Sequence, residues 1–215
     1  MSKLIYIMPT SLDGFIAGET DDMDWSAPDE EVMAFINDLH RPIGTYLYGR
    51  KNYEVMTVWE TPEVIPDPTP TMIEFGRIWQ AADKIVYSKS LEAGSTPKTR
   101  IEREFVPQVV RDLKAQRPHD ISVSGPNLAA QAIRAGLVDE YHLLVVPMML
   151  GGGNPILPDN TREAGSPRRT PCRQWLGLPS LWHAGLIWAF LTTKAGGRSR
   201  EISAHFRRHQ ERQHP

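Results

Sequence analysis

Residues 121–153 read I-S-V-S-G-P-N-L-A-A-Q-A-I-R-A-G-L-V-D-E-Y-H-L-L-V-V-P-M-M-L-G-G-G. A short β-rich run at 121–123 ends in a turn, a helical stretch runs from Leu128 to Ala135 and is stopped by Gly136, and a second strand is predicted over 140–146. Strand, helix and strand in this order are typical of parallel strands joined by a crossover helix. This stretch therefore predicts an α/β domain with a largely parallel sheet.

The same alternation of strand and helix signals extends toward the N-terminus. Residues 62–70 hold four prolines in nine positions and are predicted to form a loop. Further strands are predicted at residues 4–8, 45–48 and 84–87, and further helices from near residue 28, from near residue 50, over 75–82 and over 106–115.

The composition fits a chain that folds around a buried core. The 215 residues are 40% hydrophobic and 23% charged, which argues against global disorder. No apolar run approaches the roughly 20 residues of a membrane helix, and the first residues lack the features of a secretory signal. The single cysteine, Cys172, excludes an internal disulfide and a cysteine-based zinc cluster. We therefore expect a soluble, cytoplasmic protein without a membrane partner.

Charge divides the chain near residue 161. Residues 1–161 carry 14 Lys+Arg against 23 Asp+Glu, a formal charge of −9, whereas residues 162–215 carry 10 against 3, a formal charge of +7. Two segments of such different composition seldom share one compact fold. The sequence therefore predicts one domain over 1–161, followed by an atypical basic tail over 162–215.

One predicted strand ends at Gly49, and a predicted helix follows with two cations at its start, Arg50 and Lys51. The free N–H groups of a helix start attract phosphate, and the two cations would add positive charge. A tight turn with solvated basic residues has the same sequence pattern. Both interpretations stay open for this junction.

Two further strand ends carry polar residues in glycine turns. At Gly125, Ser124 and Asn127 can cap the following helix or bond phosphate oxygens, although the full G-x-G-x-x-G fingerprint is absent. At the first strand, the turn S-L-D-G places the carboxylate of Asp13 where α/β proteins bind ligands. Asp13 can orient a substrate there, or it can simply form an Asx-turn.

Four segments in this order resemble the dihydrofolate reductase superfamily: S-L-D-G-F-I-A-G at 11–18, Y-G-R-K-N-Y-E at 48–54, I-V-Y-S-K-S at 85–90, and V-S-G-P-N to G-G-G at 123–153. The branch they resemble most is the reductase domain at the C-terminus of the bifunctional riboflavin-biosynthesis deaminase-reductase, with its stand-alone bacterial relatives. The resemblance covers residues 2–160. It implies a mixed, mostly parallel sheet with helices on both faces, NADPH as hydride donor, a small-molecule substrate, and often a homodimer.

The resemblance also implies roles for the residues that match the family's motifs. Gly49, Arg50 and Lys51 match the helix start at the cofactor pyrophosphate; Ser88 and Lys89 match the strand end near the adenosine 2′-phosphate; Ser124, Gly125, Asn127 and Leu128 match the second phosphate-facing loop; Ile16 and Ala17 match the loop that lines the nicotinamide; and Asp13 belongs to the S-x-D-G motif near the substrate. A hydroxyl and a cation beside the 2′-phosphate would favour NADPH over NADH.

The implied activity is hydride transfer from NADPH to a pterin-, folate- or ribosylaminouracil-like molecule in riboflavin or folate metabolism. The zinc-deaminase signature H-x-E…P-C-x-x-C is absent from the sequence, which weakens a direct role in riboflavin synthesis. Dihydrofolate reductase uses a buried acid on its first helix; Glu30 and Glu31 lie nearby, but their spacing assigns neither as proton donor. Two alternatives stay open, an inactive reductase-like protein and a binding protein whose basic tail contacts acidic partners, with nucleic acid not expected.

The tail leaves the family pattern after P-I-L-P-D at 155–159. When residues 163–182 are back-translated and read one base later, suitable codons give R-L-D-L-L-D-E-R-R-A-G-N-G-W-V-Y-L-R-Y-G, which resembles the missing strand pair of the family. We therefore interpret residues 163–215 as a frameshift product; a genuine divergent extension is the alternative. On this interpretation the tail is irregular, since its early prolines disfavour replacement strands, and it is largely disordered after about Lys194. The apolar piece 186–191 could dock on the edge of the strand at 140–146, but nothing in the sequence selects a register.

Overall fold

The computed structural model describes residues 1–18 and 26–157 in full, and the backbone of residues 189–194 and 203–206. The strands are β1 (Leu4–Ser11), β2 (Phe15–Ala17), β3 (Ile43–Gly49), β4 (Asp83–Tyr87), β5 (Thr99–Glu102), β6 (Asp120–Ser124), β7 (Glu140–Val146), β8 (Asn154–Pro155), β9 (Ala189–Lys194) and β10 (Ser203–Phe206). The helices are α1 (Glu30–His40), α2 (Arg50–Met56), α3 (Pro70–Ala81), α4 (Pro107–Gln116) and α5 (Pro126–Arg134), with two 3₁₀ turns, Thr57–Glu60 and Pro62–Val64, between α2 and α3. Among the described residues, no helix combines the length and the apolar character that a membrane crossing requires.

Eight strands form one sheet in the order β10-β9-β7-β1-β6-β3-β4-β5. The six strands from β7 to β5 in this order are parallel, whereas β9 is antiparallel to β7 and β10 is antiparallel to β9. Strands β2 and β8 form a separate antiparallel pair. The predicted α/β fold with a mixed, mostly parallel sheet is confirmed.

Helices cover both faces of the sheet, because successive residues of each strand point to opposite sides. On one face, Leu4 of β1 lies in a core cluster with Val110 of α4 and Leu128 of α5. On the other face, Ile5 lies in a cluster with Met33 of α1. This second cluster also contains Tyr53 of α2 and Trp79 of α3. Each such buried side chain contributes about 1.5–3 kcal/mol to stability, so both layers are held mainly by apolar burial.

Two stretches of the tail form strands, which corrects the expectation of an irregular tail for these ten residues. β9 pairs along β7 in a defined register, from Glu140 opposite Lys194 to Val145 opposite Ala189. An open edge of β7 would leave N–H and C=O groups unpaired, and β9 supplies their partners. The prolines behind the expectation lie before β9 and remove no donor from it; they are Pro167, Pro171 and Pro179. The rest of the tail lies outside the described residues, and the frameshift interpretation and the division at residue 161 stay predictions.

His40 ends α1 as a buried titratable group. Its Nδ1 lies 3.0 Å from the hydroxyl of Tyr46, its ring stacks on the ring of Tyr46, and it meets the ring of Phe75 edge to face. Burial, with a smaller contribution from the neighbouring His142, lowers the pKa of His40 to about 4. Between pH 4 and pH 6.5, the folded protein therefore keeps His40 neutral, whereas the unfolded chain protonates it.

We expect the free energy of unfolding to fall as the pH decreases from 6.5 to 4. Because the folded pKa of His40 lies below its usual value of 6.5, the stabilisation is complete above pH 6.5 and is lost progressively toward pH 4. The loss is about 3 kcal/mol. Urea denaturation at several pH values measures it, and His40→Gln should reduce the pH dependence. The same pH dependence in wild type and variant would contradict the assignment to His40.

Candidate cofactor site

The candidate site lies at the carboxyl ends of β3 and β6, which are neighbouring parallel strands with Tyr48 paired to Ser124. β3 leads into α2 and β6 leads into α5, and these helices lie on opposite faces of the sheet. Neighbouring strands with this arrangement open a crevice beyond their carboxyl ends, where α/β proteins bind ligands. Ser124 is buried, and its hydroxyl donates a hydrogen bond to the carbonyl of Ile7 on β1 (3.2 Å), which fixes β6 against β1.

Gly49 borders this crevice, and neither its backbone conformation nor its surroundings require glycine. Its φ of −76° and ψ of 161° are accessible to any residue, and a Cβ added there would meet no atom within 4 Å. No side chain caps α2, which begins at the next residue. The space beyond Gly49 is therefore open to a ligand that approaches the backbone closely.

Gly125 forms the opposite side of the crevice in a conformation that requires glycine. Its φ is +91°, and its carbonyl accepts the N–H of Ala129 (2.9 Å) at the start of α5. No side chain caps α5, so the N–H groups of Asn127 and Leu128 precede the first intrahelical bond. The ordinary capped helix that the sequence left open does not form. A Cβ on Gly125 would lie 3.6 Å from Cβ of Asn52, so the starts of α2 and α5 are adjacent.

The start of α2 contacts the turn that follows β4. Nη1 of Arg50 donates a hydrogen bond to Oγ of Ser90 (2.8 Å), and its Nε donates to Glu54 (2.7 Å). Oγ of Ser88 accepts the N–H of Leu91 (3.0 Å), which shapes the turn from inside. Arg50, predicted to meet the pyrophosphate, thus lies beside the turn of Ser88 and Lys89, which are predicted to meet the 2′-phosphate. We call this group of residues the corner.

Sequence reasoning missed two residues of this corner. Ser90 accepts a hydrogen bond from the guanidinium of Arg50. The only feature of the sequence that pointed to Ser90 was the second serine of S-K-S at 88–90. Arg103 donates through Nη1 to the carbonyls of Ser88 (3.0 Å) and Leu91 (2.6 Å), so it braces the same turn. The corner also includes two exposed cations at predicted positions, Lys51 and Lys89.

The segment predicted to line the nicotinamide is β2. The side chains of Ile16 and Ala17 are buried in the same core cluster as Leu128 of α5. This segment therefore packs toward the helix that begins at the crevice.

The partly exposed carboxylate of Asp13 accepts three hydrogen bonds from the protein. Its Oδ1 accepts the hydroxyl of Ser11 (2.6 Å) and the N–H of Leu150 (3.1 Å), and its Oδ2 accepts the N–H of Gly151 (2.7 Å). The bond from Ser11 is the largest cause that lowers the pKa of Asp13 to about 2, and the two backbone N–H groups also lower it. Asp13 is therefore ionised at neutral pH and connects the turn after β1 to the loop after β7.

Glu30 and Glu31 lie in the first turn of α1, and both are exposed. Val32 of the same turn packs against Leu144 and Val146 of β7, which places the turn near the carboxyl end of the sheet. The buried residues of α1 are Val32, Met33, Asn37 and His40. No carboxylate is buried on this helix, so α1 has no counterpart of the buried acid of dihydrofolate reductase.

The sheet order and the crevice define a dihydrofolate reductase-like α/β protein. The chain belongs to the family described as the RibD C-terminal domain, whose model matches residues 2–173. It is similar to two uncharacterized Bacillus subtilis (strain 168) proteins: YyaP, 30% identical over 158 residues (73% of this chain and 81% of YyaP), and YwjB, 26% identical over 163 residues (75% and 86%). Its fold is shared with a crystal structure from Shewanella sp. PV-4 named for riboflavin biosynthesis, at 21% identity and a TM-score of 0.55, which covers 74% of this chain and 84% of that one.

Proposed function

We propose that this protein is an NADPH-dependent reductase that transfers a hydride to a small heterocyclic molecule. The observation that carries the proposal is the crevice between α2 and α5. It combines an open backbone approach at Gly49, uncapped N–H groups after Gly125, and a guanidinium, Arg50, at the turn after β4. Membership of a reductase-domain family supports the same class of reaction.

The residues around the crevice fit a phosphorylated dinucleotide. The resemblance assigns Arg50 to the pyrophosphate, but its contact with Ser90 brings its guanidinium to the turn after β4. We therefore propose that Arg50 and Lys89 hold the adenosine 2′-phosphate, because a guanidinium and an ammonium both bind phosphate strongly. The N–H groups of Asn127 and Leu128 would bind the pyrophosphate. The β2 segment would then lie beside the nicotinamide. This order follows the carboxyl edge of the sheet from β4 through β3 and β6 to β1.

NADPH, when bound, supplies the hydride itself. The residues of this chain would bind the phosphates, orient the nicotinamide against an electrophilic C=N or C=O group, and exclude water from that contact. Since α1 carries no buried carboxylate, no side chain is assigned as the proton donor.

The substrate is proposed as a class of pterin-, folate- or ribosylaminouracil-like molecules. The family name and the Shewanella protein named for riboflavin biosynthesis support the ribosylaminouracil type. The resemblance of the chain to dihydrofolate reductase supports the pterin and folate types, which are proposed beside it. We propose that the protein acts as a cytoplasmic homodimer. The alternative of a binding protein rests on the basic tail, and nothing in the described part of the chain favours it.

Replacing Gly49 by alanine tests the cofactor site without disturbing the fold. Because the added methyl group meets only open space, the free energy of unfolding should change by less than about 1 kcal/mol. The same methyl group would stand between the backbone and the pyrophosphate, so the Kd for NADPH should rise at least about tenfold. Urea denaturation and isothermal calorimetry measure the two quantities. An unchanged Kd would contradict the proposed position of the cofactor.

A further inference from the structure

The loop after β7 sets the position of β2. We call residues 148–156 the glycine loop. A Cβ on Gly153 would overlap the carbonyl oxygen of Ala17, so the loop backbone lies directly against the end of β2. The N–H of Ile156 donates to the carbonyl of Gly14 (2.9 Å), and β8 pairs with β2 on the same stretch. A displacement of the glycine loop would therefore displace β2.

Asp13 fixes the middle of that loop. Its carboxylate accepts the N–H groups of Leu150 and Gly151, which precede the contact between Gly153 and Ala17. Both carboxylate oxygens are engaged, and one of them also accepts the hydroxyl of Ser11. Asp13 is therefore bound on several sides by the protein itself, in an arrangement suited to holding a loop.

We propose that Asp13 is a positioning residue that holds β2 against the nicotinamide through the glycine loop, and that it does not act by contacting the substrate. This proposal rests on the proposed function for the presence of a nicotinamide at β2. The chain of contacts runs from Asp13 to Gly151, from Gly153 to Ala17, and so to the segment Ile16–Ala17.

The ends of the glycine loop have attachments that are independent of Asp13. The N–H of Leu12 donates to the carbonyl of Met148 (2.8 Å), and the hydroxyl of Tyr6 donates to the carbonyl of Ile156 (2.9 Å). Loss of the Asp13 carboxylate should therefore loosen the middle of the loop and leave its ends in place. A variant at position 13 should therefore stay folded, and its effect on ligand binding can be attributed to the middle of the loop.

The test is the full-length Asp13→Asn variant, studied with two ligands. Asparagine has the size of aspartate, but its NH₂ group cannot accept an N–H, so at least one bond to the loop is lost. In the proposed site NADPH would reach β2. Adenosine 2′,5′-bisphosphate lacks the nicotinamide half, so it would reach only the corner of Arg50 and Lys89 and the adjoining part of the pyrophosphate site. We expect the Kd for NADPH to rise at least about tenfold and the Kd for the bisphosphate to change by less than about twofold.

The matched control is Asp67→Asn, which makes the same change of charge on an exposed loop where φ is 49°, a conformation that asparagine tolerates. It should leave both Kd values unchanged. Hydrogen exchange supplies a readout that needs no ligand. The amides of Leu150 and Gly151 should lose protection in Asp13→Asn and keep it in the control.

Each outcome supports or overturns the proposal. Selective weakening of NADPH together with faster exchange at Leu150 and Gly151 supports it. Equal weakening of both ligands shows general damage and overturns it, as does unchanged affinity for both. If wild type binds neither ligand, the proposed function fails and the nicotinamide part of this proposal falls with it. In that case faster exchange still supports Asp13 as the residue that holds the loop, and unchanged exchange overturns that role as well.

Discussion

Gly153→Ala is expected to lower the free energy of unfolding by about 2–4 kcal/mol. Its φ of +122° is a conformation that side chains rarely adopt, and the new Cβ would overlap the carbonyl oxygen of Ala17 and lie 2.9 Å from Cα of Gly18. These neighbours are backbone atoms, so no side-chain rotation can relieve the contact. The glycine loop would have to separate from β2 at the point where the candidate site is built.

Gly152→Ala is the matched control for this prediction. Gly152 is the neighbouring residue, its φ lies outside the left-handed region, and a Cβ there would meet no atom within 4 Å. Its change in stability should stay within about 1 kcal/mol. Urea denaturation of both variants at one pH measures the difference. Equal stability of the two variants would contradict the close packing of the glycine loop on β2.

Restoring the shifted-frame ending in place of residues 163–215 is expected to raise the Tm by at least about 5 °C. In the present chain, the edge of β7 is paired by β9, which begins only at Ala189. The restored segment would follow β7 after a much shorter connection, and its W-V-Y-L-R-Y run alternates as a half-buried strand does. Both changes favour closure of the sheet.

A chain that ends at Leu157 is the control for this experiment, because it lacks β9, the strand that pairs with the outer edge of β7. The expected order of Tm is truncated chain, present chain, restored chain. Scanning calorimetry on the three proteins measures it. If the present chain melts as high and as cooperatively as the restored one, the frameshift interpretation is wrong and the tail is a genuine structural element.

The strand and helix pattern of the described domain was largely predictable, because apolar periodicity records which residues face a core. Two elements were not predicted correctly from this periodicity. Helix α3 begins at Pro70, inside the predicted loop, because proline suits the first helical position and Thr69 caps the N–H of Met72 (3.3 Å). Strand β5, Thr99–Glu102, lies at the edge of the sheet and reads T-R-I-E, which contains a single apolar residue.

The two glycine turns of the candidate site could be located from the sequence, because each turn is a local feature, although their role in binding stays a prediction. Gly49 and Gly125 end neighbouring strands, and parallel strands bring their carboxyl ends to one edge. The contacts of Asp13 could not be predicted, because they join residues that are 137 and 138 positions apart. The same holds for Ser90, whose contact with Arg50 depends on β3 and β4 lying side by side.

The most direct test of the proposed cofactor site is isothermal calorimetry of the full-length protein with NADPH and with NADH. The two cofactors differ only at the 2′-phosphate, for which the proposed binding site is the corner of Arg50 and Lys89. We predict that NADPH binds at least about tenfold more tightly than NADH, and that Arg50→Ala removes most of this preference. Equal affinity for the two cofactors would contradict the proposed 2′-phosphate site, and no binding of either would contradict the proposed NADPH-dependent function.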